Sequence, residues 1–359
     1  MKKYQSYLSR IFISHFLIVS LIFFCIGFLI NIFEEMKFFE KYDVKIYYPI
    51  YLSLLNIPSL LFEIFPFIFL VSTKFFCIYL NDKSEIEILK SNGISYFKIL
   101  SIISALSLLI GLIIVFFYYS FSSKLKSNYL DVKNKFSNKN EYLAVVNDSG
   151  LWIKEEMGEN LNIIHAEKFM KNSLKNITIS QLDKKYNSNY TYRASSADIT
   201  KNTWVLKDVK ILNNIKGSKE DFKKLMYQSS FNGDIISNLF SNLNSLNIFQ
   251  LLKLSDNYSK IGYSTTEVKV HLNKLYSMPI FFILMTILGF LIMIKFKFLK
   301  SKFFTVVFGI FVSVIVYYIN YFSSLFGTNA TMPVIISIWT PHLILLLVCA
   351  IGMVKINEN

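Results

Sequence analysis

The chain has 359 residues, of which 53% are hydrophobic and 17% aromatic, with a mean hydropathy of +0.43. That balance excludes an ordinary soluble domain and points to a membrane protein. The formal net charge of +14 does not point to nucleic acid, because no basic patch with interleaved aromatics stands outside the apolar runs; it reads as positive-inside bias and contact with anionic lipid.

Lys2, Lys3 and Arg10 precede the first apolar run, residues 11–33. The run is too long for the core of a signal peptide and no small-residue cleavage site follows, so it reads as a retained span that starts in the cytoplasm. Residues 34–48 mix Glu34, Glu35, Glu40 and Asp43 with Lys37, Lys41 and Lys45, which suits an outer loop. Span two, residues 49–80, is longer than a bilayer needs. Pro58 and Pro66 should kink or break it. Glu63 lies between them, and a carboxylate in such a run rarely faces lipid. It either points into a cavity or makes a structural hydrogen bond, and both readings stay open.

Residues 82–98 are a polar interruption that reads as a short helix. Ser84 is a good N-cap, and Glu87 completes a capping box. Glu85 and Glu87 fall in the first turn, where the helix dipole favours negative charge. Asn92-Gly93 supplies a left-handed stop, and Ser95 caps the next helix. Ile86, Ile88 and Leu89 leave an apolar flank. A soluble partner could grip this helix; the alternative is a solvated loop that turns the chain. In span three, residues 99–121, Ser101, Ser104, Ser107 and Gly111 share a stripe that invites close helix packing.

From residue 122 to 260 the apolar runs shorten and alternate. Residues 141–146, 151–154, 160–165, 177–182, 190–199 and 203–212 read as strands, with Asn147-Asp148-Ser149-Gly150 as a turn. Such spacing indicates a small β-sandwich or barrel. Counting spans puts this domain outside, and its excess of lysine is no obstacle, since long domains translocate largely regardless of charge. Residues 247–260 read as an amphipathic helix ending at Gly262. Span four is residues 275–294, with Pro279 near its start. Lys295, Lys297, Lys300 and Lys302 then form a cytoplasmic clamp. Span five is residues 303–326, a tight turn runs from Gly327 to Pro333, and span six is residues 334–354. Six spans with both termini inside satisfy the lysine asymmetry of the short loops.

The chemistry of an enzyme is missing. There is no G-x-x-x-x-G-K-[ST] loop, no HExxH and no GxSxG. His15, His165, His271 and His342 are scattered, and Cys25, Cys77 and Cys349 lie in apolar runs without disulfide or metal spacing. Neither catalysis nor a cofactor is expected.

Several local patterns fall in a familiar order: Pro58 with Phe62-Glu63-Ile64-Phe65-Pro66; Ser84-Glu85-Ile86 with Asn92-Gly93-Ile94-Ser95; Ser149-Gly150-Leu151-Trp152-Ile153-Lys154; Tyr192-Arg193-Ala194 with Thr203-Trp204-Val205-Leu206; and Pro333 with Trp339-Thr340-Pro341. Along nearly its whole length the chain resembles the lipopolysaccharide export permeases LptF and LptG. The Gly-Leu-Trp-Ile-Lys pattern is closer to LptG. The chain departs from the family in using Phe, Ile, Lys and Asn where Leu, Ala and Arg are common, and in lacking a glycine-rich turn after span one.

The resemblance implies an α-helical membrane protein with six transmembrane helices and a periplasmic all-β jelly-roll inserted between the third and fourth. Residues 1–121 would hold three spans and a coupling helix at 84–92, residues 122–262 the jelly-roll and a connecting helix, and residues 263–359 the last three spans. It implies a permease subunit of an ABC transporter in the Gram-negative inner membrane. That subunit would pair with a second permease (LptF if this chain is LptG), a dimeric cytoplasmic ATPase (LptB) and periplasmic jelly-roll proteins (LptC, LptA). It would extract lipopolysaccharide and pass it outward. Glu85 would meet the ATPase, then Glu87, with Ser84, Ile86 and Leu89 completing the surface. Lys37 and Lys41 would bind lipid A phosphates through charge-assisted hydrogen bonds, or simply snorkel to the interface. Glu63 would face the cavity. The alternatives are an exporter of another lipid or of lipoproteins, and a non-transporting scaffold with an outer β-domain.

Overall fold

A computed structural model describes residues 3–42, 44–136, 151–157, 160–170, 173–183, 188–214, 217–233, 236, 242–260, 264–295 and 302–357. In chain order the helices are α1 (Lys3–Phe39), α2 (Tyr47–Asp82), α3 (Glu85–Ser91), α4 (Tyr96–Ile113), α5 (Tyr119–Phe136), α6 (Ile248–Lys260), α7 (Thr266–Lys295), α8 (Lys302–Thr328) and α9 (Val334–Asn357). The strands are β1 (Leu151–Met157), β2 (Asn160–Met170), β3 (Ser173–Leu182), β4 (Ser188–Asp198), β5 (Thr203–Asn213) and β6 (Lys219–Gln228). Two compact units result. One is Met1–Tyr129 with Thr266–Asn359, the other Leu130–Thr265.

Among the described residues six helices are long and apolar enough to cross a membrane, so the chain is a multi-pass membrane protein. The third is one continuous rod made of α4, a π-helical turn at Ile114–Tyr118, and α5, which is why the sheet follows the fifth helix rather than the third. The π-turn shifts the phase of the rod. At the turn's last residue, Tyr118 Oη donates to the Pro58 carbonyl at 3.1 Å, and just past it Tyr119 Oη meets His271 Nε2 at 2.9 Å. α2 and α7 are buried along most of their apolar length, α1 and α8 along under a fifth of it. The inner pair is therefore the axis, and the others present their apolar faces outward.

Small residues set the crossings, as expected where lipid gives no hydrophobic drive and packing decides. A Cβ on Gly289 would lie 2.8 Å from the Leu70 carbonyl oxygen, so α7 meets the backbone of α2 there. Gly111 faces Pro279 and Phe282 of α7 in the same way, and Ser107 Oγ reaches Thr286 Oγ1 at 2.9 Å. The expected stripe holds only in part, because Ser101 is exposed and returns its hydroxyl to the Lys98 carbonyl.

Pro58 and Pro66 do not break α2, which runs unbroken from Tyr47 to Asp82. Each proline removes one ladder bond, and burial between neighbouring helices holds the rest in register. Pro341 shows how a freed carbonyl is satisfied. It cannot donate to Ser337, and Ser323 Oγ of α8 donates to that carbonyl instead, at 2.5 Å. The segment after span one is also corrected: α1 continues to Phe39 and α2 begins at Tyr47, so residues 34–39 and 47–48 of the supposed loop are helix.

In the second unit each strand pairs antiparallel with the next, in the order β1-β2-β3-β4-β5-β6. The described strands form one six-stranded meander, which shows an antiparallel sheet but not by itself the expected jelly-roll. β6 was not anticipated, because Lys219, Glu220, Asp221, Lys223 and Lys224 hide any alternation; backbone pairing to β5 makes it a strand. The expected strand at 141–146, the turn at 147–150, the helix stop at Gly262, and Lys297 and Lys300 lie outside the described residues. The core gathers Ile153, Ile164, Ile179, Trp204, Leu206 and Phe231, and Trp204 Nε1 donates to the Phe231 carbonyl at 2.7 Å. β1 and β6 stand at opposite ends of the strand order, yet a side chain of β1 reaches the residues that follow β6. Glu155 of β1, 1% exposed, accepts from Ser229 Oγ at 3.0 Å and from the Ser230 amide at 2.5 Å, just past β6.

Candidate functional site

Local chemistry follows the spacing rule at only one end of α3. At the C-terminus Gly93 takes φ +76°, the Ile94 amide donates to the Leu89 carbonyl at 2.9 Å, and the Gly93 amide donates to Lys90 at 3.0 Å. This is the glycine stop expected at Asn92-Gly93. Ser95 Oγ accepts from the Lys98 amide at 3.4 Å and caps α4. At the N-terminus the capping box is absent. Ser84 sits in the left-handed region (φ 52°) and its side chain caps nothing. With α2 running to Asp82, the chain has only Lys83 and Ser84 in which to turn, and the tight turn takes the conformation a cap would need.

The same turn anchors α3. Tyr7 Oη of α1 donates to Glu85 Oε1 at 2.8 Å. The other carboxylate oxygen, Oε2, is buried with no hydrogen-bond partner among the described residues. Lys83 Nζ donates to Tyr79 Oη at 2.6 Å and lies over that ring, and the hydroxyl holds the Lys83 pKa above its ordinary value. Ile86 is buried and Leu89 half-buried, whereas Glu87 is exposed and Ile88 is 56% exposed. So Ser84, Glu85, Ile86, Glu87 and Leu89 do gather at one place, but Glu85 turns inward toward α1 and Ile88 takes the outer face.

Lys37 and Lys41 stand at the opposite end of α1, four residues apart and both exposed. Sequence reasoning missed what lies beside them. Glu35, 1% exposed, accepts from Tyr129 Oη at 2.7 Å, and Lys126 Nζ donates to Asn56 Oδ1 at 2.6 Å. The signal was available: Asn31 and Glu35 are one helical turn apart on one face, and a helix that continues past the apolar run would carry both inward. Glu63 joins neither group. It lines a cavity within the membrane unit, with Lys274 of α7, Tyr317, Asn320 and Tyr321 of α8, and His342 of α9. Among the described residues no group of His, Cys, Asp or Glu could hold a metal ion.

The model of the family described as "Lipopolysaccharide export system permease LptF/LptG" matches residues 6–355. The chain belongs to this family. No curated protein matches it. The family match covers the permease from the first turns of α1 to the last turn of α9. It spans α3, the sheet and the cavity alike, and it is to LptF and LptG jointly. The family is one of lipopolysaccharide export permeases, and membership supports that transport role for this chain. That assignment displaces the reading as a scaffold and favours lipopolysaccharide over another lipid or a lipoprotein.

Proposed function

We propose that this permease is one of two such subunits in an ABC-type exporter of the Gram-negative inner membrane, LptG with LptF as partner, driven through α3 by a cytoplasmic ATPase dimer (LptB). The observation that carries the reading is the state of α3. It is tied to α1 through Tyr7 and continues α2 through a two-residue turn, so a push on it reaches both spans. Its outer face offers Glu87 and Ile88, and Glu85 keeps a buried oxygen without a donor, which a docking arginine or lysine of the ATPase would fill. Lys3, Arg10, Lys295 and Lys355 cluster at the helix ends on this side, which supports a cytoplasmic α3 and termini and a periplasmic sheet. Lys37 and Lys41 then sit at the periplasmic rim, where the phosphates of lipid A would meet them. The cavity at Glu63 would form part of the substrate path. The sheet would hand lipopolysaccharide to periplasmic partners (LptC, LptA).

Glu85→Ala tests the coupling. Co-purification of the ATPase should fall about tenfold, the scale of losing one charge-assisted hydrogen bond at an interface. Association at the wild-type level would remove α3 from the docking surface. Lys37→Glu tests the rim. Lipopolysaccharide-stimulated ATP hydrolysis should fall about threefold to tenfold, and more steeply at low salt, since exposed charges are screened. No change at any salt concentration would leave Lys37 as an interfacial anchor.

A further inference from the structure

Lys74 is fully buried in α2, on the stretch that leads into α3. Its Nζ donates to the Thr305 carbonyl of α8. Among the described residues no carboxylate pairs with it. One turn further along α8, Gly309 leaves the space the lysine needs: a Cβ there would overlap the Lys74 ammonium and the end of its stem. Thr305, Gly309 and Ser313 follow at helical spacing, and both Thr305 and Ser313 are buried. The rest of α8 is loosely held and turns Phe304, Phe311, Ile315 and Phe322 outward.

An ammonium inside a membrane span is expensive and marks a functional position by default. Packing does not explain it. A methionine would fill the same space without burying a charge that has, among the described residues, one acceptor for three donors. What the lysine adds is a directional link between the helix that continues into α3 and the helix that walls the cavity. α8 contributes Tyr317, Asn320, Tyr321 and Ser324 to that cavity, and α2 contributes Glu63. Displacement of α8 changes its wall.

We propose that Lys74 is a positioning residue that couples α8 to α2: a push entering at α3 travels along α2 and is delivered to α8 through the Lys74–Thr305 contact, seated in the notch at Gly309. The proposal rests on the reading of α3 as the ATPase contact.

The test uses the full-length permease in lipid nanodiscs, with its native cysteines replaced and spin labels at Asp82→Cys and Val307→Cys. With Lys74 present the label-to-label distances should form one narrow population. Lys74→Met should broaden it or add a second, while the protein stays folded and melts at or above the wild-type temperature. In the assembled exporter, Lys74→Met should lower lipopolysaccharide release per ATP hydrolysed about tenfold, within the range by which residues along a coupling route alter it. Gly309→Ala, which pushes the ammonium off its seat with Lys74 intact, should act in the same direction and more weakly. A lower melting temperature with unchanged distances would make Lys74 merely structural and overturn the proposal, as would unchanged release. If wild-type permease recruits no ATPase and Lys74→Met still loosens α8, the reading of α3 fails and the α2–α8 link stands.

Discussion

Replacing Trp204 by Ala is expected to cost the sheet unit about 3–5 kcal/mol, the range for deleting a large buried aromatic. Trp204 is fully buried in the sheet core, and its ring lies 6.1 Å from that of Tyr227. Its indole N–H also donates to the Phe231 carbonyl, a buried hydrogen bond that the variant loses. Domains of this size hold only about 5–15 kcal/mol in all, so the loss is a large share. Hydrogen exchange should speed up across β2–β5, and lipopolysaccharide release should fall with it. Co-purification of the ATPase should be unaffected, because Trp204 belongs to Leu130–Thr265 and α3 to the other unit. A Trp204→Phe variant, which keeps most of the burial and loses the hydrogen bond, should fall in between. Slow exchange in Trp204→Ala would mean that the core does not depend on this ring.

Gly289→Val should be the most damaging single change at the helix crossings. The added Cβ would meet the Leu70 carbonyl oxygen at 2.8 Å and Thr73 Cβ at 3.3 Å. Overpacking costs about 1–3 kcal/mol when side chains can give way. Here the obstacle is backbone inside an unbroken helix, so the upper end of that range is expected. α2 and α7 would have to separate, which should show as a lower melting temperature in detergent and loss of the monodisperse peak on size exclusion. Gly27 is the internal control. Its nearest neighbour is Ile57 Cδ1 at 3.6 Å, an ordinary contact, so Gly27→Ala should melt like the wild type. Equal behaviour of the two variants would refute the account of the crossing.

Most of the membrane unit was legible because its signal is intrinsic to the chain. A run of about twenty apolar residues has one stable form in lipid, and the α3 stop at Asn92-Gly93 depends only on glycine reaching positive φ. What could not be read depends on neighbours. Ser84 and Glu87 have the spacing of a capping box, but spacing does not determine backbone torsion, and the short turn after α2 takes Ser84 elsewhere. Glu85 looks like a surface charge until Tyr7, distant in sequence, is brought beside it. The π-turn at Ile114–Tyr118 has no compositional mark. Nothing in the sequence singles out Lys74, and only Thr305 and Gly309 show that it is enclosed. In the sheet, alternation located β1–β5, and strand order emerged only from pairing.

The carboxylate of Glu155 joins the first strand to the residues that follow the last. A flat ribbon frays from either hem independently, losing one rung at a time. Here the two hems are stitched at a common point, so peeling back either one must break the same pair of bonds, and at that end the borders come apart together or stay shut.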